Sequence, residues 1–208
     1  MYTDAVPPVW DLPYTTTRRH ISVDLGGDVL EIGDLYCRLA VDVMKVGTFS
    51  TEDAASLADG EADPYGTDQL GITWRPKDHH VVLVDSGRVV AHAAFLPIEV
   101  EMADERLAGA GLGSVMVHRA FRGRGVGQRL IKETTTHMRA LNRSYGLLFC
   151  RDARLGFYER LGWRRVLGEV TVDQESGPIV MPLFTCWRSF DGGTPSLTDD
   201  LRLIGLPF

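Results

Sequence analysis

Arg122-Gly123-Arg124-Gly125-Val126-Gly127 is the stretch of this chain whose residue types and spacing carry the most chemistry. It follows an apolar run, Leu112 to Val117, and precedes a helical pattern that starts near Val126. Strand, glycine-rich turn and helix in that order make a cradle for phosphates. Backbone N–H groups of the turn and of the first helical residues can point at one anion. Glycine lets the backbone approach closely and take a positive φ, and two guanidiniums add charge-assisted donors. No Gly-Lys-Ser/Thr follows, so this is not a nucleoside-triphosphate loop, and it opens no dinucleotide-binding unit near the N-terminus. A structural turn carrying surface arginines would have the same composition, so the elements around it have to decide.

Those elements read as follows. Residues 1–20 form an irregular arm, because Pro7, Pro8 and Pro13 break helices. Ile21 to Ile32 holds a first strand with Gly26-Gly27 as a turn, and Leu35, Leu39 and Val43 give Asp34 to Met44 helical spacing. Thr51 N-caps a second short helix. A long polar loop over 59–77 is of the kind that lines binding sites. Val81–Val84 and Val89–Ile98, joined at Asp85-Ser86-Gly87, read as a hairpin, followed by a turn at Asp104–Arg106. Leu107–Val117 is a third strand, in which Gly109, Gly111 and Gly113 alternate. That pattern predicts a bulge or a close approach of backbone to something. After the arginine-glycine turn come a helix to about Leu141, a strand Tyr145–Phe149, a helix Ala153–Leu161 ended by Gly162, and strands Trp163–Val172 and Ile179–Trp187. The tail, 191–208, is polar with apolar insertions. The reading is one mixed α/β domain over 21–190, between the arm and the tail.

The composition bounds the function. A chain of 208 residues with 44% hydrophobic side chains buries a core without staples. Twenty-two basic against 28 acidic side chains give a formal net charge of -6, which argues against wholesale nucleic-acid binding. Cys37, Cys150 and Cys186 have neither the parity nor the spacing of a disulfide framework or a zinc site, so no metal is expected. The first residues lack the apolar core of a signal peptide, and no run reaches the ~20 apolar residues of a membrane span. A cytoplasmic protein is the expectation.

The spacing Arg-x-x-Gly-x-Gly, from Arg122 to Gly127, resembles the coenzyme A pyrophosphate loop of the GCN5-related N-acetyltransferases, the GNAT family. Phe157-Tyr158-Glu159-Arg160-Leu161-Gly162-Trp163 looks like that family's motif B. The resemblance implies the GNAT fold: a central, mostly antiparallel mixed sheet, splayed at the coenzyme A cleft and flanked by helices. It implies acetyl-CoA, or another acyl-CoA, on Arg122, Gly123, Arg124, Gly125, Val126 and Gly127. It also implies backbone bonds from Val115, Met116 and Val117 to the acyl carbonyl and pantetheine arm. Tyr158 would then sit beside the thioester sulfur as the general acid for the thiolate, a transfer near balance at an ordinary tyrosine pKa of ~10. As residues alone, Phe157 and Leu161 pack the helix, and Tyr158 could do the same.

The segment Val89-Val90-Ala91-His92-Ala93-Ala94 is similar to the central strand of the aminoglycoside 2'-N-acetyltransferases, a resemblance covering about half the chain. It implies acetyl transfer to a primary amine of a small cationic acceptor, an aminoglycoside or amino sugar, and hence antibiotic resistance. Those enzymes place a glutamate on the strand before the turn, and the matching position here is Gly113. Candidates for the missing base are His118, Glu99, Glu101 and Asp152. His118 follows Val117 directly and is of the residue type suited to take up a proton, but can equally face solvent beside Arg119. Glu99 and Glu101 share a strand face, as a cation-binding pair or the wet face of an edge. Asp152 lies at the cleft mouth or caps the helix at Ala153. Asp63, Asp68, Asp173 and Glu175 are loop acids that would hold a cationic acceptor or are simply solvated. His92 reads as a core histidine. Rhizobial nodulation N-acyltransferases share the layout, the glycine at 113 and a histidine matching His92, which keeps a longer acyl chain open. So does a non-catalytic acyl-CoA-binding domain. A homodimer is compatible with this fold.

Overall fold

The computed structural model describes residues 49–193 and 196–208, together with the backbone of three earlier strands, β1 (Val23–Asp24), β2 (Val29–Leu30) and β3 (Val41–Val46). Two compact units divide the chain, Met1–Asp42 and Val43–Phe208. In the first, β1 and β2 pair antiparallel, Val23 opposite Leu30 and Asp24 opposite Val29; the turn expected at Gly26-Gly27 lies outside the described residues. The arm at 1–20 lies outside the described residues. Residues 41–46 are a strand where the leucine spacing predicts helix to Met44; β-branched Val41, Val43 and Val46 favour the pleat.

The second unit is organised by one long hairpin and its neighbours. β4 (His79–Asp85) and β5 (Arg88–Met102) are joined by Ser86 and Gly87, both at positive φ, the geometry of a two-residue hairpin turn. Ala103 and Asp104 repeat that turn between β5 and β6 (Glu105–Val117). A helix, α2 (Val126–Arg139), crosses over to β7 (Tyr145–Cys150), which lies parallel to β6. Then follow α3 (Asp152–Glu159), β8 (Arg164–Arg165), β9 (Val170–Val172), β10 (Ile179–Val180), β11 (Phe184–Ser189) and β12 (Leu201–Leu203). The sheet runs β10-β9-β12-β5-β6-β7-β11-β8, with β4 beside the first half of β5. An earlier short helix, α1 (Thr51–Ala58), is capped by Ser50, not Thr51: Asp53 N–H donates to Ser50 Oγ at 3.0 Å.

Two predicted strands are broken. Trp163–Val172 splits into β8 and β9 around Gly168, where a Cβ would collide with the Asp199 carbonyl. Ile179–Trp187 splits into β10 and β11 around Pro182, which has no N–H to give the ladder. The tail is not peripheral. β12 pairs with both β5 and β9, and Leu197, Leu201, Leu203 and Phe208 are core residues. Their partners include Leu96, Ile98, Val100, Tyr145 and Trp187, on one face of the sheet. α2 covers the other face with Leu130, Ile131 and Met138.

Candidate active site

The sheet opens where the arginine-glycine turn begins. β6 and β7 are partners from Gly109↔Tyr145 to Leu112↔Leu148, and no further, although β6 continues to Val117 and β7 to Cys150. Just past the last pair, β6 bulges: Ser114 and Val115 stand together against Ala93 of β5, and Ser114 takes φ 52°. A bulge increases twist and turns the strand away from its neighbour. The two strand ends therefore form a wedge.

The wedge leads to the turn. A short 3-10 turn, Arg119–Phe121, is followed by Gly123 at φ 75° and Gly125 at φ 80°, and α2 starts at Val126. Gly125 is the N-cap; no side chain caps the helix and no acid sits in its first turn. That leaves the positive end of a 14-residue helix available to an anion. A Cβ on Gly127 would lie 3.5 Å from the Phe157 ring and 3.7 Å from Val117, so α2, α3 and the end of β6 converge there.

The two arginines of the turn differ. Arg122 is held by protein: its Nε donates to the Val117 carbonyl at 2.9 Å, and its two terminal nitrogens fork onto Glu61 at 2.7 and 2.9 Å. The guanidinium lowers the Glu61 pKa, chiefly through that hydrogen bond. Arg124 is exposed and makes no ion pair among the described residues; its guanidinium lies 6.0 Å from the Phe121 ring centroid. It is the arginine free to meet a phosphate.

Tyr158, in the last turn of α3, is buried, with its ring edge-on to Phe157 and Trp163 at centroid distances of 5.1 and 6.5 Å. Burial first, then the neighbouring thiols of Cys150 and Cys186, hold its hydroxyl pKa well above the usual tyrosine value. Those thiols face each other at 4.0 Å across β7 and β11, both buried and reduced.

Several sequence candidates fall elsewhere. His118 is buried and already engaged: Ala120 N–H donates to its Nδ1 at 3.2 Å, and its Nε2 lies 3.3 Å from Asp59 and 3.2 Å from Arg88 Nη2. It caps the 3-10 turn, and both of its ring nitrogens are already partnered by protein. Asp152 is the exposed first residue of α3, two positions past the end of β7, and the helix N-cap is Arg151, so it does not cap the helix. Glu101 is bound by Arg106 at 3.1 Å and approached by Arg202 at 3.7 Å. Asp173 accepts from Arg202 at 3.3 Å and from Gly205 N–H at 2.9 Å. These two acids hold the β5–β12 end together and are already neutralised. Glu99 and Glu175 are exposed. Along β5, Glu101 stands ten positions from Ala91, the partner of Val117, which is ~33 Å of strand at ~3.3 Å per residue. An open groove of about 920 Å³ lined by Glu101, Arg106, Glu169 and Arg202 lies at that far end, away from the wedge.

The face of the wedge opposite α2 carries residues that the sequence did not single out. The alternating glycines of β6 make a trough on it. A Cβ on Gly109 would enter the Tyr145 ring, one on Gly111 would lie 2.5 Å from the Phe208 ring, and one on Gly113 would lie 3.2 Å from both Lys77 Cε and the Phe208 backbone. Only the last position faces a flexible side chain. Lys77 is largely buried, and burial lowers its pKa.

Residues 64–166 match the family model of the acetyltransferase (GNAT) domain. Over that segment the chain is similar to a GNAT acetyltransferase domain. Its fold is similar to that of the GNAT family N-acetyltransferase YhbS from Escherichia coli, solved in complex with CoA: TM-score 0.54 at 18% identity over 79% of this chain and 89% of that one. A GNAT family acetyltransferase from Brucella melitensis, in complex with acetyl-CoA, matches at TM-score 0.47 and 20% identity, over 78% and 95% of the two chains. Escherichia coli ElaA matches at 0.49 and 18%, over 72% and 99%. No curated protein matches the chain. The matched GNAT residues contain the wedge, the turn and Tyr158, while β9 to β12 lie beyond them. No helix among the described residues is long and apolar enough to cross a membrane, and none of their acid, histidine or cysteine clusters is arranged to hold a metal.

Proposed function

We propose that this chain is an N-acyltransferase that moves an acyl group, acetyl first, from acyl-CoA to a primary amine of a small acceptor. One observation carries the reading: β6 and β7 part after Leu112 and Leu148, and the wedge leads to an uncapped helix N-terminus flanked by two positive-φ glycines. That is a slot for a narrow, hydrogen-bonding arm with an anionic head. Acyl-CoA supplies a thioester-activated acyl group there. Arg124 and the N–H groups of Gly125, Val126 and Gly127 would hold the phosphates, and the Val115–Val117 backbone would hold the arm. Tyr158, kept protonated by burial, would return a proton to the leaving sulfur. Its raised pKa makes it a weaker acid than a free tyrosine, but one never lost to ionisation near neutrality.

The acceptor would come from the face opposite α2. Aminoglycosides and amino sugars head the candidates from the strand resemblance, beside polyamines and amino-acid amines. Thiol release from acetyl-CoA across that panel, alongside Tyr158→Phe, tests the reading. Amine-dependent release that falls by at least tenfold in the variant, with unchanged acetyl-CoA affinity by calorimetry, is expected. Calorimetric binding of acetyl-CoA without release toward any amine would defeat the transferase reading and leave a binding domain.

A further inference from the structure

Gly113 leaves the acceptor side without a strand carboxylate, and the same face of the sheet carries two linked imidazoles. Alternation along β5 puts His92 on the face of Ala94 and Leu96, which stand opposite Gly113 and Gly111. His80 of β4, the partner of Ala94, shares that face, with its ring centroid 5.3 Å from that of His92. Their protons are fixed from one end. His92 Nδ1 lies 3.1 Å from the carbonyl oxygen of Ser114, the bulge residue in the wedge. A carbonyl only accepts, so Nδ1 carries the proton and Nε2 is bare. Nε2 in turn lies 3.0 Å from His80 Nδ1, which therefore donates. His80 is left with a lone pair on Nε2, outside the hydrogen bonds of the described residues.

The pair rests in the neutral form that a base needs. His92 is held down to about 3, first by burial and then by His80, with Lys77 adding to it. His80 is lowered by burial, with His79 and Lys77 acting the same way and Asp78 opposing them. The Phe49 ring stacks on His92 at 3.7 Å and 5°, which fixes its plane.

We infer that His80 and His92 form the proton-accepting relay for the acceptor amine, with His80 Nε2 as the receiving atom. This rests on the acyltransferase reading above. In the step, one N–H bond of the acceptor ammonium breaks and its electron pair stays on the nitrogen as the attacking lone pair. The proton forms a new N–H bond at His80 Nε2. The hydrogen bond to His92 spreads the imidazolium charge over both rings and toward the Ser114 carbonyl. Amide formation from an ammonium frees one proton overall, and half-exposed His80 delivers it to solvent. His80 is thus a catalytic residue and His92 a positioning residue.

The test joins a structural and a kinetic readout. Imidazole ¹⁵N NMR at neutral pH should show the proton on Nδ1 of both rings. His80→Asn keeps a donor near the Nδ1 position and loses Nε2. It should bind acetyl-CoA as the parent does, lose about 100-fold or more in kcat with the amine acceptor, lose the ascending limb of the pH profile, and regain rate with added imidazole in the His80→Ala background. His92→Gln should displace that limb without abolishing it. A proton found on His80 Nε2, or wild-type kcat and pH profile in His80→Asn, overturns the relay while the transferase reading stands. Absence of amine-dependent thiol release by the unsubstituted protein overturns both.

Discussion

Arg122 and Arg124 are two positions apart, exposed, and indistinguishable as sequence, yet the fold gives them separate tasks. Arg122 ties the end of β6 to Glu61 of the polar loop, and Arg124 is left for a ligand. Arg124→Ala should therefore weaken acetyl-CoA binding about tenfold, the scale of one charge-assisted hydrogen bond, with thermal stability unchanged. Arg122→Ala should lower the melting temperature as well, and Glu61→Gln should reproduce its effect. Calorimetry and thermal melts on the three variants separate the two roles. The motif was legible because glycine and arginine spacing is local. Glu61 was not, because its pairing spans 61 positions and leaves no periodic mark. His92 shows the same limit: its burial was legible in the apolar strand, its partner was not. Its pKa, lowered from 6.5 to about 3, makes a linkage prediction. The unfolded chain binds a proton there below pH 6.5 and the folded chain does not, so this stabilisation is complete above pH 6.5. It fades as the pH falls toward 3, by roughly 4 kcal/mol at 1.36 kcal/mol per unit. Urea melts at pH 7, 5 and 4 should show that decline, and His92→Gln should flatten it.

Elements divide into those that hydrophobic period determines and those that another segment cuts short. β4, β5, β6, α2 and β7 follow from their own residues, since alternation and helical spacing are satisfied inside each. β8 to β11 do not, because Asp199 closes over Gly168 and Pro182 interrupts the ladder, and neither contact is visible in a window of one strand. The glycines of β6 sit between these cases. Their alternation announced a close approach on one face; what approaches, Tyr145 and Phe208, comes from β7 and from the far end of the chain. Gly111→Ala puts a methyl group 2.5 Å from the Phe208 ring and should destabilise by about 1–3 kcal/mol, as overpacking does. Phe208→Leu alone should also destabilise by leaving a cavity. The double variant should be more stable than the sum of the two, because the smaller side chain vacates the space the methyl group needs. Additive losses in chemical denaturation would mean that the ring is not what the glycine accommodates.

At the scale of the whole unit, a single sheet serves two faces, and the chain's last segment belongs to the face that the helices leave open. α2 and α3 meet the end of β6 on one side; the segment after β12 lies over the glycine trough on the other. It is fastened at each step: Ile204 N–H to the Glu99 carbonyl at 3.0 Å, Gly205 N–H to Asp173 at 2.9 Å, and Arg75 N–H to the Pro207 carbonyl at 2.6 Å. A polar, glycine- and proline-containing composition after residue 190 hid this, since the apolar positions are scattered and show no sustained period. Yet Leu201, Leu203 and Phe208 are almost fully buried. Each such side chain contributes about 1.5–3 kcal/mol on burial, and together they rival the ~5–15 kcal/mol that separates a folded domain from its unfolded chain. Removing residues 200–208 should therefore abolish cooperative unfolding and acetyl-CoA binding together, although the phosphate turn and Tyr158 are untouched. Asp173→Asn, which weakens only one fastening of the segment, should keep the fold and donor affinity and alter the acceptor KM. A truncated chain that still melts cooperatively and binds acetyl-CoA would make the segment a cover over a complete domain, not part of its core.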